Sequence, residues 1–442
     1  MAKPDFSPDT PKASGYAPAP YAWTVVVLLL VAYIVAVMDR QILSLLVQPI
    51  RKDLGITDTQ ISLLQGFAFV ITFTVLGVFL GRIADRGNRR FLIVIGMTIW
   101  CCATIACGFA RDFTELFIAR MFVGIGEAAL SPAAYSLIAD YFEPRKRGRA
   151  MGIYTMGTFM GSGIAMIAGA LAILSTMGAD RVDMPLIGTM TNWKAAFVIA
   201  GLPGIFVAAA LLFVREPLRH ERATASTGSS TLSFIRQNLG IFAFVIGGLA
   251  CNALASFSLI SWTPTLFIRL FHWQASQIGA LYGAILAVSG SAGIVTAGWL
   301  ADRMASRKGP GPLKLASWAL ALVIPTSLWV GLAWSPMSVI AALILCSFLL
   351  AVPTGLAPLA IYQLTPNEHR GQMIAIYLLA ATLAGLGVGP TLVAETNAIL
   401  FGSDLTIGWA LAIVTTVAAV AGYFLLARAG AMHARQTRLS DW

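Results

Sequence analysis

The sequence predicts an all-α membrane protein with twelve transmembrane helices in two pseudo-symmetric six-helix bundles. Three observations predict it. Of 442 residues, 58% are hydrophobic and only 11% are charged. Apolar stretches of about 20 residues recur along the chain, each long enough to cross about 30 Å of hydrocarbon. A charged loop motif occurs twice, six stretches apart, as internal duplication would leave it.

Taken in order, a polar tail at 1–21 is rich in Pro, Ala and Ser. It lacks a basic segment leading into a cleavable apolar core, so it reads as a disordered tail and no signal peptide. The first bundle, 22–214, holds spans at 22–46, 59–83, 91–110, 114–138, 150–173 and 194–214. The stretch 215–238, with Arg-His-Glu-Arg and Ser-Thr-Gly-Ser-Ser, is a polar linker. The second bundle, 239–428, holds spans at 239–268, 275–300, 314–334, 337–361, 371–396 and 407–427, and 429–442 is a second tail.

The duplication is explicit. Gly81-Arg82-Ile83-Ala84-Asp85-Arg86 ends span 2, and Gly298-Trp299-Leu300-Ala301-Asp302-Arg303 ends span 8. Pro144-Arg145-Lys146-Arg147-Gly148 precedes span 5, and Pro366-Asn367-Glu368-His369-Arg370-Gly371 precedes span 11. Tyr154 and Tyr377 then occupy matching places.

The net charge of +10 does not indicate nucleic acid. If both termini are cytoplasmic, 22 of the 30 Lys and Arg fall in the tails and even-numbered loops. Only Arg51, Lys52, Arg111, Arg181, Lys194 and Arg269 fall on the other side. That is the positive-inside bias, and the basic loops would meet anionic headgroups. A multi-pass protein with cytoplasmic termini, in the inner membrane if bacterial, is expected. Cys101, Cys102, Cys107, Cys251 and Cys346 lie within apolar spans without CxxC spacing. They read as packing residues, with no disulfide, metal site or other cofactor.

The charges inside the spans are the functional signal. Asp39 and Arg40 lie in span 1, Arg120 and Glu127 in span 4. A charge in hydrocarbon costs at least ~2.5 kcal/mol on insertion scales, so it rarely stands without a partner or a task. Asp39 and Arg120 each lie about 10 Å from the outer end of their spans, at 1.5 Å per residue. Glu127 is two turns beyond Arg120, on the same face and about 10 Å deeper. Burial disfavours an ionised carboxyl there and a nearby arginine favours it, so its proton responds to local charge. The histidines, His220, His272, His369 and His433, lie at loops, span ends or the tail. Protons, if used, would therefore travel on Glu127 first and Asp39 second. The alternatives are a structural ion pair and a permanently protonated Glu127.

Gly81-Arg-Ile-Ala-Asp85-Arg86-Gly-Asn-Arg89-Arg90 resembles the loop signature of the major facilitator superfamily, and Trp193-Lys194-x-x-Phe197 resembles its entry to span 6. The resemblance covers nearly the whole chain and implies the major facilitator fold, with spans 1 and 4 adjacent. The first half is similar to the spinster group of lipid transporters. The matching pieces are Asp39-Arg40, Asp53-Leu54-Gly55, Arg120-x-x-Val123-Gly124-Ile125-Gly126-Glu127-Ala128, and Tyr154 with Gly161-Ser162-Gly163. The second half matches mainly in the repeated loop. No proline lies between Gly157 and Gly169, which departs from the drug–proton antiporter pattern. The spinster resemblance implies that Asp39, Arg120 and Glu127 form a proton-coupling set, and that Arg40 and Tyr154 face a central cavity.

Ser131, one turn below Glu127, could line the same wall. Asn252, Ser256, Ser258 and Ser261 give span 7 a polar side that fits either substrate or packing. The repeated loop has a mechanical reading. Gly81 allows close approach, and Asp85 suits the N-terminal end of a partner helix, where the dipole favours an anion. The superfamily resemblance makes that partner span 11, and Asp302 offers a second latch toward span 5. Arg86 and Arg89 would add ion pairs to the latch.

All four buried charges come from the first half. A cavity polar on one wall and apolar on the other suits an amphiphilic anion, with its head on Arg40 and Arg120. The resemblance points the same way, to lysophospholipids or sphingoid phosphates. The expected function is a proton-coupled secondary transporter of such lipids, working as a monomer by rocker-switch alternating access. A carrier of small organic anions is the alternative. An enzyme is not expected, because no intramembrane histidine, HExxH or GxSxG is present. A non-transporting sensor would not need the latch or the buried carboxylates.

Overall fold

The computed structural model describes residues 18–175, 181–184, 188–219, 231–305, 311–332, 335–366 and 369–440. The expected spans appear as helices. The first six are α1 (Ala19–Leu45), α2 (Asp58–Gly77), α3 (Arg89–Cys107), α4 (Phe113–Tyr141), α5 (Pro144–Ser175) and α6 (Asn192–Leu211). The second six are α7 (Leu239–Phe271), α8 (Ala275–Ala301), α9 (Gly311–Gly331), α10 (Pro336–Leu364), α11 (Gln372–Leu400) and α12 (Asp404–Arg435). Eleven of them are long and apolar enough to cross a membrane. In the remaining one, α5, the apolar stretch among the described residues is the shorter Met160–Leu171. Of the expected tails and linker, residues 1–17, 220–230 and 441–442 lie outside the described residues. The last helix runs on through Ser440, where a tail is expected from 429.

The packing repeats with the sequence. In the first half α3 packs on α4 and α6, α2 on α4, and α1 on α5 and α6. Six helices later, α9 packs on α10 and α12, α8 on α10, and α7 on α11 and α12. Between the halves α5 meets α8 and α2 meets α11. The end of α1 and the start of α12 share one face of the molecule, where Arg51 meets Asp404; it is called the far face below.

Both crossings between the halves depend on glycine. A Cβ on Gly66 of α2 would overlap the carbonyl oxygen of Leu386 on α11. A Cβ on Gly283 of α8 would stand 2.6 Å from the carbonyl oxygen of Gly163 on α5. Gly66 and Gly283 are separated by the same step in sequence as Gly81 and Gly298. Gly163 and Leu386 are separated by the same step as Tyr154 and Tyr377. The two crossings are thus one contact, duplicated. Small residues let membrane helices touch backbone to backbone, where dispersion replaces a hydrophobic driving force.

Three helices carry a π-helical turn near these crossings: Leu63–Phe67 in α2, Leu286–Gly290 in α8 and Leu383–Val388 in α11. In α2 the turn closes with Ala68 N–H donating to Leu63 O, five residues back. One residue too many per turn locally re-aims the side chains. Helix α4 is broken after Glu127 into Phe113–Glu127 and Leu130–Tyr141. Pro132 explains the break: it has no N–H for the carbonyl four residues earlier, and its ring crowds that carbonyl.

Two further elements were not expected. An amphipathic helix, Val47–Leu54, follows α1 at the far face and ends on Gly55, whose φ of 64° is left-handed. An antiparallel hairpin pairs β1 (Arg181–Met184) with β2 (Gly188–Thr191) just before α6.

Replacing Gly66 by valine should destabilise the protein by about 1–3 kcal/mol through overpacking at the crossing. Gly77 lies on the same helix with nothing within 4 Å of its would-be Cβ. Thermal unfolding of the purified protein should therefore show a lowered midpoint for Gly66→Val and an unchanged one for Gly77→Val.

Candidate functional site

Asp39, Arg40, Arg120 and Glu127 gather in the first bundle, but not in the pairs that depth alone suggests. Arg120 is fully buried. Its Nη1 donates to the backbone carbonyl of Asp39 at 3.1 Å, and its Nε donates to the carbonyl of Leu64 at 3.3 Å. It thereby fastens α4 to α1 and to the π turn of α2. The Asp39 carboxylate instead accepts from Thr104 Oγ1 of α3 at 3.0 Å, leaving Oδ1 without a partner. The expected meeting of Asp39 and Arg120 at one depth occurs, through main chain.

The ion pair of the site is Arg40 with Glu127, at 3.1 Å from Nε to Oε2. The geometry is off-line, so among the described residues neither Glu127 oxygen has a hydrogen-bond partner. The break in α4 sets this up. Glu127 ends a half-helix, where the dipole's negative end favours a cation nearby. Arg40 also lies 5.3 Å from the centre of the Phe69 ring, a cation–π contact that steadies its head.

Arg40 faces a cavity between the halves, of about 60 Å³. The first half contributes Arg40, Gln41, Ser44, Gln65 and Ser162, with Tyr33 and Val37. The second half contributes Phe257, Ile260, Ser261 and Leu386. One wall is polar and the other mostly apolar, as the distribution of charges suggested. Gln65 is a residue that sequence reasoning missed. It is buried on the π turn, and among the described residues neither of its amide atoms has a partner. A glutamine in the apolar run of span 2 was the available signal.

Two expected binding residues sit elsewhere. Asn252 is buried and donates to Leu350 O at 3.2 Å and Thr354 Oγ1 at 3.0 Å. That is α7 packing on α10, not a cavity lining. Tyr154 is also buried, in an aromatic cluster with Tyr33 and Tyr135 at 5.3 and 5.1 Å between ring centres. It reaches the cavity only through Tyr33, which lines it. Ser131, half-buried, lies beside the Tyr154 hydroxyl.

The expected latch is only partly described. Gly81, Asp85 and Arg86 lie near the end of the helix Ala68–Arg86, and Asp302 in Ser291–Ala305. The side chains at these positions lie outside the described set. Arg89 is described, and its partners correct the expectation. It bonds Asp140, Glu216 at 2.7 Å and the Ser136 carbonyl and hydroxyl at 3.0 Å each. All belong to the first half, so Arg89 staples α3 to the end of α4 and the segment after α6. It does not reach across.

The polar contacts between the halves found among the described residues lie at the far face. Arg269, at the end of α7, grips Asp58, at the start of α2, by two parallel bonds of 2.7 and 2.6 Å. Arg51 reaches Asp404 at 2.5 Å and Asp58 at 3.6 Å. Thr59 donates to Glu395 at 2.8 Å, and Ser62 to Thr391 at 3.3 Å. Arg269 is 4% exposed and Asp58 13%. A bidentate pair so shielded is stronger than a surface ion pair. The contact of Arg51 with the half-exposed Asp404 adds little.

The profile of the Major Facilitator Superfamily matches residues 29–390. An "MFS-type efflux pump" of Mycolicibacterium smegmatis is 29% identical over 408 residues, covering 89% of this chain and 88% of the relative. A "Probable L-galactonate transporter" of Escherichia coli is 26% identical over 66% of this chain and 64% of its own, just under two thirds. Among solved structures, a bacterial homolog to the human lysosomal transporter Spinster, inward-facing and unoccupied, superposes with a TM-score of 0.79. It is 25% identical and covers 96% of this chain and 98% of its own.

The far-face clamp makes a prediction. Asp58→Asn removes one member of a mostly buried pair and leaves Arg269 only the half-exposed Asp404, 3.5 Å away. Removing one partner of a fully buried pair costs about 3–5 kcal/mol, and partial exposure reduces this to about 2 kcal/mol. The equilibrium between far-face-closed and far-face-open states should shift by about thirtyfold toward open. Distance measurements between spin labels on α2 and α7 at the far face would read it; an unchanged distribution would remove the clamp from the mechanism.

Proposed function

This chain belongs to the Major Facilitator Superfamily, a multi-pass membrane transporter and not an enzyme, and from that premise we propose that it couples protons to the movement of an amphiphilic anion. The observation that carries the proposal is the position of Arg40. One guanidinium faces both Glu127 and the cavity between the halves. A substrate anion in that cavity competes with the Glu127 carboxylate for Arg40. Protonating Glu127 removes the competitor. Proton and anion then bind with positive coupling, and by linkage each raises the affinity for the other equally.

Asp39 is the second proton carrier in this scheme. Its unpartnered Oδ1 can take a proton, and its backbone is held by Arg120. Arg120 belongs to the coupling set by holding α1 against the π turn of α2. The two bundles rock about the paired glycine crossings, and the far-face clamp holds the described state. The repeated loops at Asp85 and Asp302 serve as the counter-latch on the face of the termini. The bias of Lys and Arg makes that face cytoplasmic.

The apolar wall of Phe257, Ile260 and Leu386 favours a lipid-like tail, of the lysophospholipid or sphingoid phosphate class. The spinster-like neighbour supports this class. Two observations favour a second reading, a small organic anion: the cavity is only about 60 Å³, and one relative is named for L-galactonate.

Substrate-induced proton movement in proteoliposomes distinguishes them. The panel holds a lysophospholipid, a sphingoid phosphate and several small carboxylates. Proton flux with the lipids alone supports the first reading, and flux with the carboxylates alone supports the second. Flux with neither overturns both.

The coupling has a definite sign. Apparent affinity for the transported anion should rise as pH falls, since protonation of Glu127 frees Arg40. Glu127→Gln should bind at all pH values as the wild type does at low pH, and should lose pH-driven transport while folding normally. A Glu127→Gln protein with the full wild-type pH response would place the coupling elsewhere.

A further inference from the structure

We propose that Gln65 reads a neutral hydrogen-bonding group, a hydroxyl or an amide, carried by the substrate beside its anionic group. This rests on the anion site at Arg40 proposed above and adds a second recognition element to it. Gln65 and Arg40 line the same cavity. Gln65 is 4% exposed, and among the described residues neither Nε2 nor Oε1 has a partner. A side-chain amide offers two donors and an acceptor, and burying them unmatched is unfavourable. A glutamine or asparagine in a membrane helix ordinarily bonds to a neighbouring helix. Asn252 does so, to Leu350 and Thr354. Among the described residues Gln65 does not, and it lines the cavity with its amide atoms shielded from solvent.

The backbone on either side of Gln65 is held. The preceding carbonyl, of Leu64, accepts from Arg120. The following residue, Gly66, rests against the Leu386 carbonyl of the opposite half. The π turn between them presents Gln65 to the cavity. A polar group fixed by its neighbours before ligand arrives loses little freedom on binding, as a specificity element requires. An amide that both donates and accepts matches a hydroxyl or another amide. It adds nothing for a methylene. The Ser261 hydroxyl approaches the same cavity from the second half, so the neutral group meets polar atoms from both bundles.

The test is calorimetric binding to the full-length protein in detergent, with two matched pairs of probes. One pair is 1-acyl lysophosphatidate and its 2-deoxy analogue; the other is gluconate and hexanoate. Sites that hydrogen-bond a substrate hydroxyl discriminate strongly against the analogue lacking it. In whichever pair binds, the hydroxylated member should bind the wild type at least about tenfold tighter. The pair that binds identifies lipid or small anion as the source. Gln65→Leu should reduce that ratio to near one while leaving the deoxy member's affinity and its pH dependence intact. If Gln65→Leu does not fold, Gln65→Asn, which withdraws the amide by one methylene, should give an intermediate ratio. A wild type that binds both members of a pair equally overturns the role of Gln65 and leaves the anion site standing. So does a variant that keeps the wild-type ratio. A wild type that binds none of the four overturns the anion site, and the role of Gln65 with it.

Discussion

The buried guanidinium of Arg120 is the constraint on which the rest of the site depends. Arginine cannot shed its charge inside the protein, so its surroundings must supply acceptors. Here they are two backbone carbonyls, of Asp39 and Leu64. Using main chain rather than a carboxylate has a consequence. Arg120 locks helices α1, α2 and α4 to one another regardless of which carboxyls carry protons. The Asp39 carboxylate is then free to bond Thr104 on α3. Four helices of the first bundle meet around one side chain, and the bundle can move as a body.

The contact between the bundles is built differently. At both crossings backbone meets backbone across glycine, with small and apolar side chains such as Ala287, Ile167 and Val70 packed beside it. Such contacts pack well by dispersion yet allow one helix to roll on the other. What fixes the described state is the charged clamp at the far face, where Arg269 and Asp58 supply direction that the crossings lack. The proposed rocking motion draws on these parts: a tightly held charge site, glycine crossings and a polar clamp at one end. The internal repeat explains why the crossings come in a matched pair.

Most of this fold was legible in the sequence, because a bilayer permits few solutions and each span announces itself by length and composition. The duplicated loop revealed the repeat. What escaped was local geometry. The π turns leave no compositional mark, and the hairpin at 181–191 is too short to show a period of two. Of the site, the four buried charges were legible and their pairing was not. Depth along a helix gave Arg120 beside Asp39. The break at Pro132 and the bend of the π turn decided that Arg40, not Arg120, would face Glu127. Asn252 was left open between substrate and packing because a polar side chain in a span looks the same in sequence whether it meets a cavity or a neighbouring helix. Gln65 was overlooked for the converse reason: one amide in an apolar run carries no charge to draw notice.

The distribution of unmatched polar atoms separates the tasks of the two bundles. In the first bundle, Asp39 Oδ1, Arg120 Nη2, both Glu127 oxygens and both Gln65 amide atoms lack hydrogen-bond partners among the described residues. A fully satisfied network would rigidify the core and have nothing to gain from a ligand. An incompletely satisfied one lies higher in free energy, and a proton or an anion with its own donors and acceptors lowers it. The second bundle's buried charge, Arg269, is by contrast committed to Asp58. Among the described residues the unmatched charged groups thus lie in the first bundle, while the second supplies an apolar wall and the grip at the far face. The proposed coupling rests on this division, because one set of unmatched groups would serve both the proton and the anion.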